Sequence, residues 1–122
     1  MENPYEPALV WIRKDPTTGS ASGLAKLILS LWNDDAAFSF RECVRSFDDI
    51  RSAWALKMID HFLNHGEDRL LQAAGNEVSK LCPSLWKLGY AGTEAKHELL
   101  SQWDREREER YRLEFPEDSE LA

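Results

Sequence analysis

The chain has 122 residues, 22 of them acidic and 15 basic, for a formal net charge of −7. That length suits one domain able to bury a core without disulfide or metal staples. The negative balance argues against a nonspecific hold on DNA, RNA or an anionic membrane, each of which needs a basic footprint.

Part of the acidity is terminal, because Glu114, Glu117, Asp118 and Glu120 follow the last apolar periodicity and read as a solvated tail over 115–122. The start, MENPYEPALVWIRKD, lacks the positive opening and apolar run of an export signal. No stretch approaches the roughly 20 apolar residues of a membrane span. Cys43 and Cys82 form no C-x-x-C pair and are expected as reduced thiols, which agrees with a cytoplasmic location.

In chain order, Ala8 to Ile12 lies between Pro7 and Pro16 and is read as a short helix, with an edge strand as the alternative. A turn over Asp15 to Gly19 leads into a helix ending near Asn33, capped by Ser20 or Ser22. Its Leu24, Leu27, Ile28, Leu31 and Trp32 share one face. Gly23 offers room for a second backbone. Phe38 and Phe40 sit in a connector read either as a very short strand or as a helical turn.

Ser46 with Asp49 resembles a capping box and opens a helix to about Asn64, stopped by Gly66. The broad apolar face of Phe47, Ile50, Trp54, Met58 and Phe62, flanked by Ala55, Ile59 and Leu63, suggests the central helix of the fold. Glu67 to Leu81 is helical through Leu70, Leu71, Ala74, Val78 and Leu81, with Gly75-Asn76 weakening its middle enough to suggest two pieces. Cys82 to Gly92 combines a proline and two glycines with Leu85, Trp86, Leu88 and Tyr90, and is read as a packed loop. Thr93 then caps a last helix in which Leu99, Leu100 and Trp103 pack, followed by a charged, exposed extension with Glu106–Arg110 and Glu108–Arg112 at i,i+4 spacing. Five tryptophans spread along the chain are expected to bring several indoles into one core.

Chemistry is sparsely signalled. A phosphate loop needs four residues between its glycines and a lysine directly after the second, whereas Gly19 and Gly23 have three between them and Leu24 follows. His61 and His65 stand at i,i+4, the spacing that lets two imidazoles meet one metal, with Asp60, Glu67 and Asp68 as nearby oxygen donors. Two ligands alone do not make a site, and the bland reading is a pair of helix-surface histidines. His97-Glu98 lacks the second histidine of a zinc helix. Cys43 and Cys82 occupy apolar contexts suited to packed thiols. Asp48-Asp49 suits a helix N-terminus, whose dipole favours carboxylates, and Asp34-Asp35 suits a turn, with ligand binding as a weaker alternative. A helix-turn-helix over Phe40 to Asp60 is disfavoured, because Glu42, Asp48 and Asp49 nearly cancel Arg41, Arg45, Arg51 and Lys57.

The run TGSASGLAKLILSLWN resembles the leading motif of an uncharacterised bacterial domain family of small proteins: Thr-Gly, polar residues, an apolar helix, then Trp-Asn. Phe38 and Phe40, Asp48-Asp49, Leu88-Gly89-Tyr90 and Trp103 follow in that family's order, so the likeness spans about Ala8 to Trp103. The chain departs in carrying Leu31 where a second tryptophan is common, and in a longer Glu67 to Lys80 segment. The resemblance implies a bacterial, intracellular origin and carries over no catalytic residue.

The expected fold is all-α, an orthogonal or irregular bundle of about four to six helices in one domain over 1–114, with its core at 8–103 and a charged helical extension at 104–114. The preferred functional reading is a noncatalytic interaction or regulatory module that binds a protein partner or itself, with no cofactor, through Trp86, Tyr90, Arg107 and Tyr111. A small metal protein or enzyme using His61 and His65 is the alternative. An acidic inhibitor competing with nucleic acid for a basic partner is a third.

Overall fold

Side-chain caps at Ser39, Asp48 and Asp68 start three of the helices, and Gly66, with positive φ, ends one. The computed structural model describes residues 2–116. Among them lie six helices and no strand: α1 (Glu6–Lys14), α2 (Gly19–Trp32), α3 (Phe40–Val44), α4 (Asp49–His65), α5 (Arg69–Leu81) and α6 (Pro83–Glu114). The chain divides into two units, Met1–Gly92 and Thr93–Ala122. The tail expected over 115–122 lies outside the described residues from 117 onward.

The first unit is a helical bundle built around α2. That helix packs against α1, α3, α4 and α5, and buries Ala21, Gly23, Leu24, Ala25, Leu27, Ile28 and Leu29, far more than one face. Small residues make this possible. A methyl on Gly23 would overlap the carbonyl oxygen of Cys43, so glycine lets α3 lie directly on α2. The helix begins at Gly19 with Thr18 as its N-cap, rather than at the expected Ser20 or Ser22. Ser20 instead accepts a 3.0 Å bond from Trp11 Nε1, so its hydroxyl anchors an indole of α1.

Expectation and structure part company at α4, which lies at the edge of the bundle. Only Ala55 and Met58 are fully buried along it, Trp54, Ile59 and Phe62 are half-buried, and Ile50, Leu56 and Leu63 are exposed. Its cap is Asp48, whose carboxylate accepts from the Arg51 amide at 2.9 Å, not Ser46. Gly66 ends it in the left-handed region, at φ 65°.

The Phe38–Phe40 connector holds no strand. Ser39 and Glu42 form a capping box that starts α3, each side chain receiving the other residue's amide. Nor is α5 broken at Gly75. A methyl there would overlap the Trp32 ring, so the glycine is an indole seat inside a continuous helix.

The largest difference is at Cys82 to Gly92, where α6 begins in place of a loop. Pro83 is its first residue, a position whose N–H would lack an intrahelical partner in any case. Gly89 receives the Phe38 ring, with the nearest ring carbon 2.8 Å from where a Cβ would stand, and its carbonyl accepts from the Ala37 amide at 3.1 Å. The residues that read as punctuation are contact points. Thr93 accordingly lies within α6 and not at the start of a last helix.

As expected, several indoles share one core: four of the five pack against it, and they do so in two pairs. Trp11 and Trp54 stand edge to face at 6.2 Å, Trp32 and Trp86 lie 5.5 Å apart, and all four are partly buried against the core. Trp103 is 52% exposed, and Leu99 and Leu100 are exposed beside it, so that trio does not form the packed patch expected of it. No helix among the described residues is long and apolar enough to cross a membrane.

Candidate functional site

His61 and His65 occupy adjacent turns of α4, and their rings lie against one another at 4.4 Å between centroids, tilted by 36°. The next element completes the group. Asp68, the N-cap of α5, divides its two oxygens: Oδ1 accepts from the Leu71 amide at 3.0 Å, and Oδ2 bonds His61 Nε2 at 2.6 Å. Burial would raise the Asp68 pKa, but the His61 bond and the Leu71 amide outweigh it and hold the carboxyl below its usual value. An ionised carboxylate can only accept, so His61 Nε2 carries the proton of this bond. That nitrogen is committed to joining α4 to α5.

Tyr5 lies against the same histidine, edge to face at 5.8 Å. It is fully buried and its hydroxyl has no hydrogen-bond partner. Desolvation, then the nearby Asp68 charge, pushes the phenol up to about 12. Outside the ring pair is a 290 Å³ cavity lined by Trp54, Lys57, Asp60, Asn64 and both histidines. Among the described residues, no group of three or more His, Cys, Asp or Glu side chains is arranged to hold a metal ion.

A second cleft, of 480 Å³, is lined by Trp32, Asp34, Asp35, Phe62 and Glu67. Its carboxylates give it a negative field bordered by two aromatic rings. Cys43 and Cys82 are free thiols. Desolvation is the main cause that pushes Cys43 up to about 11, and burial also raises Cys82, so neither has the lowered pKa of an activated nucleophile.

Arg51 makes a different kind of cluster. Its guanidinium lies 3.6 Å from the Trp11 ring centre and 5.0 Å from that of Trp54, and it bonds Asp48 at 2.9 Å. One cation therefore ties the start of α4 to α1. Sequence spacing could not have shown this, because Trp11 is forty residues away from Arg51 along the chain.

The four expected interaction residues fall two in each unit. In the first, Trp86 stacks toward Trp32, and Tyr90, 6.5 Å from Trp86, is half exposed. In the second, Arg107 bonds Asp104 at 2.9 Å and lies 4.4 Å over the Trp103 ring, while Tyr111 and Phe115 stand 5.0 Å apart. Leu99, Leu100, Trp103, Tyr111, Leu113 and Phe115 are all exposed. Trp103, which the sequence suggests as a packing residue, stands one helical turn before Arg107 and under its guanidinium. Comparison with protein-family models, with curated proteins and with solved structures returns no match.

Proposed function

We propose that this chain is a noncatalytic protein-interaction module whose working surface is the exposed aromatic row of α6. The observation that carries this reading is Trp103 and Tyr111 standing half exposed on a helix otherwise crowded with charge. Tryptophan, tyrosine and arginine are the side chains that most often dominate binding energy when a partner desolvates them. A helix draws most of its stability from packing an amphipathic face, and a partner would supply that packing here. The order of the Thr-Gly helix, the Phe connector and the Leu-Gly-Tyr element supports, as part of the same proposal, membership in a bacterial family of small domains.

A photo-crosslinking amino acid placed at position 103 in cells of origin tests the reading. Discrete adducts are expected there and not from the same probe at Lys57 on α4. Identical smears from both positions would overturn it.

A further inference from the structure

The interaction-module reading leaves open what covers the row, and the row itself points to one occupant. Lys96, Leu100, Trp103, Arg107, Tyr111 and Glu114 are spaced by threes and fours and lie within about 80° of one helix face. Turned end for end about Arg105, the row is its own complement. Lys96 falls opposite Glu114, Leu100 beside Tyr111, and Trp103 opposite Arg107. In a two-fold interface each such contact occurs twice, because residue i meets residue j and j meets i. The pivot, Arg105, sits about 160° from the centre of the row, so its charge does not face its own copy.

The charges also select orientation. A parallel, in-register pair would set Lys96, Arg107 and Glu114 each against itself, three like-charge contacts along one seam. The antiparallel pair replaces these with ion pairs at the ends and guanidinium on indole near the middle, the contact that Arg107 already makes within its own helix. We propose that a second copy of this chain docks on this row, with the 93–114 helical segments antiparallel about a two-fold axis near Arg105. This rests on the interaction-module reading and narrows its partner to the chain itself. At 1.5 Å per residue the seam is about 30 Å long. So small an interface belongs with weak, concentration-dependent dimers.

Sedimentation equilibrium of the full chain over a wide concentration range reads the association. Lys96→Glu and Glu114→Lys are each expected to weaken dimerisation roughly three- to tenfold, and the double variant to restore it. Trp103→Ala is expected to weaken it at least tenfold, while helix content by circular dichroism and the thermal transition match those of the parent when both are measured at concentrations low enough to be monomeric. In a Cys82→Ser background, chains carrying Lys96→Cys should cross-link to chains carrying Glu114→Cys in preference to their own kind. A monomer at every concentration, a dimer indifferent to the charge exchanges, or cross-links between like positions would each overturn the proposal. A monomer that still gives discrete adducts with other proteins at position 103 removes self-pairing and leaves the interaction reading standing. Loss of both the dimer and every adduct removes the two together.

Discussion

α2 and α4 carry comparable apolar rows, yet α2 buries residues around most of its circumference while α4 fully buries only Ala55 and Met58. The difference lies in the small residues. Ala21, Gly23 and Ala25 let neighbouring helices approach α2 from several sides, as the close fit of α3 on Gly23 shows. α4 offers larger groups, Trp54 and Phe62 among them, interleaved with Arg51, Lys57 and Asp60, and keeps much of its bulk at the surface. A count of bulky apolar residues therefore overstates burial where small residues set how closely helices approach.

Truncation should separate the two helices most sharply. Ile28→Ala, at a fully buried position of α2, is expected to cost about 3–4 kcal/mol in chemical denaturation. A cost below about 1 kcal/mol would remove α2 from the centre of the core. The seat that α5 provides for α2 comes next. Gly75→Ala should cost about 2–3 kcal/mol by driving a methyl into the Trp32 ring, and Trp32→Leu in the same chain should recover part of that loss. Additive losses in that double-mutant cycle would show that the ring and the glycine do not meet.

Asp68 tests what holds α4 in place from its far end. Asp68→Ala is expected to cost about 1–2 kcal/mol, since it removes a helix cap together with the His61 bond. The pH dependence has a definite sign. Because the folded-state pKa of Asp68 is lowered, its contribution is fully present above the unfolded value of about 3.9 and is lost as pH falls through the folded value. Asp68→Asn should flatten the stability profile in that acid range, and an unchanged acid limb would show that the carboxylate carries none of it. The smallest effects belong on the outer side of α4. Leu56→Ser and Leu63→Ser should each stay within about 0.5 kcal/mol of the parent in the same denaturation assay, and a core-sized loss from either would erase the contrast with α2.

Local signals were legible where local chemistry was sufficient. The Leu24–Leu27–Ile28 seam, the left-handed stop at Gly66 and the capping use of Asp48 all depend on groups within a turn or two of one another. The Ser39–Glu42 capping box was equally local, and its pattern was present to be read. The segment from Cys82 to Gly92 reads as a loop but is helical, for the opposite reason. Whether Gly89 breaks a helix or seats Phe38 depends on a ring fifty-one residues earlier in the chain. The candidate groups divide in the same way. The i,i+4 step brought His61 and His65 together, but its partner Asp68 comes from the next helix, and Tyr5 arrives from the start of the chain.

By itself the sequence determined an all-α chain, the positions of most helices and the charged face of the last one, because periodicity and capping act over a few residues. Only tertiary structure decided that α2 and not α4 is central, that Gly23, Gly75 and Gly89 are contact points, and that Trp103 stands in the open. Burial is a property of what comes to lie against a side chain, and those neighbours are distant in sequence.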